Sequence, residues 1–160
     1  MTDVLEIPVL ATEKDQSEEF FLKLSFQALP ETGAVKYAEY TVSAKQLIYI
    51  YLLGKFSESQ DFRAYDRLIP KAAFCWLLYE RQDVAFEKTV KAYTERYSTP
   101  LICLAPRSAE ASLNRDREPI PQWPVLYYDS QSADPLRDAL QRSLAKMKEM
   151  SDAGIINAKV

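Results

Sequence analysis

The short run at residues 101–105, with the sequence LICLA, constrains the fold more than any other segment. All of its side chains are apolar, and a proline stands on either side of it. The run is too short for a helix, and a strand with one wet face would alternate polar and apolar side chains. We therefore expect a strand that is covered on both faces and lies in the middle of a sheet.

Three other segments predict strands. Residues 4–10 contain Pro8, which cannot donate to a ladder and so favours an edge strand. Residues 22–28 alternate apolar and polar side chains, and a PETG turn joins them to a segment rich in β-branched and aromatic residues, so 20–42 predicts a β-hairpin. Residues 123–129 predict the last strand.

Three segments predict helices. Residues 43–56 are apolar on nearly every side, which suits a buried helix or a buried strand, and a serine that can act as N-cap favours the helix. Residues 69–97 predict helix throughout, divided in two if Asp83 caps a second helix. A C-terminal helix begins with Asp134 as N-cap and Pro135 at the first helical position.

Length and composition predict one domain. A chain of 160 residues, 48% of them apolar, suits a single core. We expect one α+β domain over residues 1–160, with a mixed, mainly antiparallel sheet of about five strands. An N-terminal hairpin, a helical middle and a C-terminal helix packed on the sheet complete it, and residues 153–160 form a flexible tail.

Several chemistries are excluded by what the chain lacks. It has no histidine, which removes Ser-His-Asp and Cys-His catalysis and imidazole metal ligands. Neither GxGxxG nor GxxxxGK[ST] occurs, and with three glycines in the whole chain we expect no glycine-built phosphate cradle. Cys75 and Cys103 each lie in an apolar run, so we expect both to be buried, reduced and unreactive.

Charge and hydropathy limit the partners and the compartment. The 20 basic and 23 acidic residues give a net charge of −3, which argues against duplex nucleic acid as a partner. No run approaches the ~18 apolar residues of a membrane span, and the N-terminus does not resemble a signal peptide. We expect a cytoplasmic protein with no membrane contact.

The first functional hypothesis is a non-catalytic protein-binding module. An inhibitor, immunity or accessory factor that occludes a partner's surface needs no cofactor, and neither a catalytic motif nor a histidine is present. The polar loop at 107–122 carries Arg115 and Arg117, and Trp123 follows it. Because arginine and tryptophan dominate interface hot spots, these three residues are the predicted partner-binding residues, and the partner is another protein.

The alternative hypothesis is an enzyme that binds a nucleotide or uses Mg²⁺ for phosphoryl transfer or nucleic-acid cleavage. If strands 101–105 and 124–129 are parallel neighbours, polar residues meet at their carboxyl ends. Arg107, Ser108 and Ser130 would then bind ATP. Asp129 would hold Mg²⁺ or act as a base, with Ser108 beside it. The sequence leaves sheet order and strand direction open.

Overall fold

A computed structural model describes residues 3–13, 18–22, 24–28, 35–56, 62–107, 123–129 and 131–154. The strands are β1 (Asp3–Ala11), β2 (Gln27–Ala28), β3 (Lys36–Ser43), β4 (Gln46–Lys55), β5 (Cys75–Leu78), β6 (Leu101–Pro106) and β7 (Val125–Tyr128). The helices are α1 (Glu18–Phe21), α2 (Arg63–Leu68), α3 (Val84–Arg96) and α4 (Pro135–Asp152), and a 3-10 turn at Ile69–Lys71 follows α2.

The described strands form one sheet in the order β2-β3-β4-β1-β5-β6-β7. The five strands from β4 to β7 in this order are parallel, whereas β2 and β3 pair antiparallel. The expected mainly antiparallel α+β fold is therefore wrong, and the chain has an α/β fold. The error arose because two buried parallel strands, β4 and β5, were taken for helices.

The first strand lies in the sheet interior rather than at the predicted edge. β1 pairs with β4 along its whole length and with β5 over Val9 to Ala11. Pro8 is tolerated because it precedes the stretch in which β1 has neighbours on both sides. The edge prediction was wrong because it assumed that a proline excludes every interior strand.

The helix predicted over 43–56 is also wrong, because these residues contain β4. Ile48 and Ile50 pack on one face of the sheet while Leu53 packs on the other, so the strand is buried on both sides. The long helix predicted over 69–97 is correct only in its second half, since β5 occupies Cys75–Leu78. Uniformly apolar runs do not reveal their period, which explains both errors.

The predicted hairpin over 20–42 is present only in part. β2 is two residues long and pairs antiparallel with β3, while α1 occupies residues predicted to be strand. Leu22, which the alternation places on the buried face of a strand, is instead 73% exposed. The longer antiparallel pair is β3 with β4.

Both predicted helix caps are confirmed. The Asp83 carboxylate accepts the N–H of Phe86 at the start of α3, and the Asp134 carboxylate accepts the N–H of Arg137 at the start of α4. The run at 101–105 is wholly buried and lies between β5 and β7, as predicted for an interior strand.

Two apolar cores cover the sheet. One lies between the sheet and α2 and α3, and the other between the sheet and α1 and α4. The second core contains a buried polar pair, in which the indole N–H of Trp76 donates to Ser143 Oγ at 2.9 Å. No helix in the described ranges is long and apolar enough to cross a bilayer.

The two cysteines are buried and unpaired, as predicted. Both lie in the core beneath α2 and α3, on neighbouring strands. Burial raises the pKa of Cys75 and of Cys103 to about 12. A thiol with such a pKa stays protonated at neutral pH and is a poor nucleophile.

Candidate functional site

The carboxyl ends of β6 and β7 meet at one edge of the sheet. The two strands are parallel neighbours, with Pro106 in register with Tyr128. Arg107 and Asp129 therefore leave adjacent strands at the same edge, which is the condition set by the alternative hypothesis. Ser108 and Ser130 lie outside the described residues.

Asp138, in the first turn of α4, ties this edge to the helix. Its carboxylate accepts the backbone N–H of Asp129 at 2.9 Å, and Arg142 Nε donates to both of its oxygens at 3.1 Å. The pKa of Asp138 lies below its ordinary value. Partial burial on its own would raise this pKa, but the hydrogen bonds from Asp129 and Arg142 and the charges of Arg142 and Arg107 have the larger, opposite effect.

Asp138 was missed by the sequence analysis, although one signal pointed to it. An acidic residue in the first turn of a helix that directly follows a strand is placed to interact with the strand's end. The ionised carboxylate accepts hydrogen bonds and neutralises part of the positive charge of Arg107. The edge thus carries a balanced set of charges rather than a free cation.

Tyr79, which directly follows β5, has a buried hydroxyl without a hydrogen bond among the described residues. The residue is 1% exposed, and its ring lies 4.4 Å from the ring of Phe86 in α3. Burial is the main cause that raises the pKa of the Tyr79 hydroxyl, while interaction with the Gln82 side chain lowers it and interaction with the Tyr127 side chain raises it. A buried hydroxyl without a partner is costly, and in native proteins it often marks a place where water or a ligand binds.

The position of Tyr79 in the topology is also notable. From β1 the chain builds one half of the sheet through β4, and then crosses to the other side of β1 with β5. In open α/β sheets, ligands bind beyond the carboxyl ends of the strands at such a switch point. Here the N–H of Thr12, after β1, donates to the carbonyl of Leu78, the residue before Tyr79.

The connection from β1 to α1, residues 12–17, has the sequence TEKDQS. It contains no glycine and one lysine, and two further glutamates open α1. A phosphate loop needs the pattern strand–GxxxxGK[ST]–helix, whose glycines let backbone N–H groups surround the phosphates. This connection offers neither the glycines nor the Lys-Ser/Thr pair.

The remaining predicted residues do not form a described site. Arg115 and Arg117 lie outside the described residues. Trp123 is half-buried against the core beneath α3, and its indole N–H donates to Thr94 Oγ1 at 3.2 Å. Within the described ranges, no group of three or more cysteine, aspartate or glutamate side chains is placed to hold a metal ion.

No known sequence family matches this chain, and no curated protein matches it. Solved structures do. The G domain of the FeoB iron transporter from T. maritima is 14% identical, with a TM-score of 0.60 over 91% of this chain and 99% of that one. The cytosolic domain of the same transporter in a GDP form is 12% identical, with a TM-score of 0.62 over 92% and 64%. Aquifex aeolicus Era bound to GDP·AlF4− is 11% identical, with a TM-score of 0.64 over 91% and 57%.

These likenesses correct the first functional hypothesis. The inhibitor, immunity or accessory factor was inferred from the absence of histidine and of a catalytic motif, together with arginine and tryptophan residues suited to an interface. The sheet of this chain is instead mainly parallel, and two of the structures that it resembles are described as a GDP form and as bound to GDP·AlF4−. The chain has an α/β fold similar to that of the FeoB G domain.

Proposed function

We propose that this chain binds a nucleotide at the carboxyl edge of its sheet and does not hydrolyse it. The fold supports the position of the site, because ligands of open α/β sheets bind beyond the carboxyl ends of the strands. Arg107, Asp129 and Asp138 lie at that edge, and Tyr79 brings a buried hydroxyl to the switch point. The proposal is for binding alone and involves no catalytic residue.

The residues present do not fit the Mg²⁺–triphosphate group that G-domain catalysis uses. That chemistry needs a glycine-rich loop, a lysine on the β- and γ-phosphates and a Ser or Thr on the metal. Residues 12–19 instead read TEKDQSEE, with four carboxylates against one lysine. Carboxylates repel phosphates at close range, so the binding we propose does not depend on Mg²⁺ or on the γ-phosphate.

The unpartnered hydroxyl of Tyr79 is the observation on which the proposal depends. The hydroxyl can donate one hydrogen bond and accept others. The side chains of Gln82 and Tyr127 interact with it, but it forms no hydrogen bond of ordinary distance and angle with a described residue. Because the residue is 1% exposed, a ligand reaches the hydroxyl only if neighbouring side chains move, and it would then contact a polar atom whose ring Phe86 already holds. The Arg107 guanidinium, at the same edge, adds up to five donors for a nucleotide's oxygens.

Isothermal titration with guanosine, GDP, GTP and ATP, each with Mg²⁺ and with EDTA, tests the proposal. We expect at least one of them to bind, with similar affinity in both buffers. Tyr79→Phe should weaken binding by about 10-fold, the effect of about 1.4 kcal/mol from one hydrogen bond. Arg107→Met should weaken it by a similar factor.

The controls are Tyr37→Phe, on the opposite half of the sheet, and Lys91→Met, an exposed cation on α3. Both should bind like the unmodified chain. Tyr79→Phe should also be as stable as the parent or more stable without ligand, because the substitution removes an unpartnered hydroxyl. The proposal is wrong if none of the ligands binds, or if Tyr79→Phe retains full affinity.

A further inference from the structure

A group of three tyrosines and two glutamates lies on the sheet face that α2 and α3 cover, at the margin of that core, where one tyrosine is buried and the other two are partly buried. We call it the tyrosine surface and define it by Tyr37 on β3, Tyr49 and Tyr51 on β4, Glu39 on β3 and Glu6 on β1. Strand register places Tyr37 beside Tyr51, and Tyr49 between Glu39 and Glu6. The three ring centroids lie 6.3 to 6.5 Å apart, so the rings form one continuous aromatic layer.

The two carboxylates of the tyrosine surface have no basic partner among the described residues. Glu6 accepts a hydrogen bond from the Tyr51 hydroxyl at 2.9 Å. Glu39 is in register with Tyr49 on the neighbouring strand, and its charge is the main cause that raises the pKa of Tyr49. Lys36, the nearest cation along β3, points to the opposite face because side chains alternate along a strand.

Apolar area extends the tyrosine surface toward the start of β1. Val4 lies on the same face as Glu6, is in register with Leu47 of β4, and is 54% exposed. On β3, Glu39 and Thr41 are exposed as well. The face therefore combines the partly exposed rings of Tyr37 and Tyr49, exposed aliphatic area and two negative charges, and the buried ring of Tyr51 joins it to the core.

We propose that the tyrosine surface binds an arginine-bearing segment of another protein. A guanidinium group can stack on an aromatic ring and form two parallel hydrogen bonds with a carboxylate. The ring of Tyr49 and the carboxylate of Glu39 are paired in register on neighbouring strands, so one guanidinium can contact both. Lysine lacks the planar group and gains less from this arrangement. The proposal does not depend on nucleotide binding, because the surface lies away from Tyr79 and Arg107.

Fluorescence anisotropy with a labelled nona-arginine peptide tests the proposal, with nona-lysine as the comparison. We expect arginine to bind more tightly than lysine. Glu6→Gln with Glu39→Gln should weaken nona-arginine binding by about 5-fold, and Tyr49→Leu by about 3-fold. The matched control, Glu95→Gln with Glu149→Gln, changes the net charge by the same amount on α3 and α4 and should have less than about 2-fold effect.

Two results would overturn the proposal. An equal loss in both double variants would show that the peptide responds to overall charge and not to this surface. Equal affinity for nona-arginine and nona-lysine would show that neither stacking on the tyrosine rings nor paired hydrogen bonds from a planar guanidinium contribute to binding. Thermal melting of each variant confirms that it is folded, and Tyr49→Leu provides a test that does not change the charge.

Discussion

The buried bond between Trp76 and Ser143 allows a quantitative test of how α4 packs on the sheet. Trp76 lies on β5 and Ser143 on α4, both fully buried, and the indole N–H donates to the hydroxyl at 2.9 Å. Replacing Ser143 with alanine leaves the N–H buried without a partner. The packing is otherwise preserved, because alanine is smaller and fits the same space.

The expected loss follows from two opposing terms. An unsatisfied buried donor costs about 1–3 kcal/mol, whereas alanine is favoured over serine in a helix by about 0.5 kcal/mol. The net loss should be about 0.5–2.5 kcal/mol. For a chain of this length that lowers the melting temperature by about 1–10 °C.

Thermal melting of Ser143→Ala and three further variants separates these terms. Ser151→Ala, near the end of α4, gains the helix propensity without losing a buried bond and should be neutral or slightly stabilising. Trp76→Phe removes the donor, so Ser143→Ala made in that background should cost less than it does alone. Equal effects of Ser143→Ala and Ser151→Ala would show that α4 is not packed against β5 as described.

Three further predictions concern charge and reactivity. The pKa of Asp138 is lower in the folded than in the unfolded state, so the ionised carboxylate stabilises the fold above the ordinary carboxyl pKa, and this stabilisation is lost as the pH falls through the folded pKa. Asp138→Asn should therefore melt about 2–4 °C below the parent at pH 7, with no difference near pH 2. Cys75 and Cys103 should not react with a thiol reagent until denaturant is added, and rapid reaction of the native protein would contradict their burial. The Arg96–Asp66 pair is 42% and 49% exposed, so Arg96→Met should lower the free energy of unfolding in urea by less than about 1 kcal/mol, and a larger loss would mean that its contact with the Phe62 ring dominates.

The features that sequence predicted correctly are those with local causes. The caps at Asp83 and Asp134 follow from hydrogen bonds within a few residues, and the all-apolar run at 101–105 could only be an interior strand. The direction of the sheet could not be predicted in this way. In a parallel sheet the strands are buried on both faces and lose their alternation, so β4 and β5 resembled helices.

The candidate site could be predicted only in part for the same reason. Arg107 and Asp129 were identified because polar residues directly follow two apolar runs, and the parallel register of β6 and β7 places them at one edge. Asp138 and Tyr79 depend on contacts between distant segments. Tyr79 is one of ten tyrosines, and nothing in its neighbourhood along the chain distinguishes it.

Calorimetric melting with GDP or GTP, in Mg²⁺ and in EDTA, tests the central claim most directly. We expect a nucleotide at about fifty times its dissociation constant to stabilise the protein by about 2.3 kcal/mol, which raises the melting temperature by about 5–9 °C. The shift should be the same in both buffers, and the nucleotide should be recovered unhydrolysed. A shift that requires Mg²⁺, release of phosphate from GTP, or no shift with either nucleotide would contradict binding at an edge that lacks a phosphate loop.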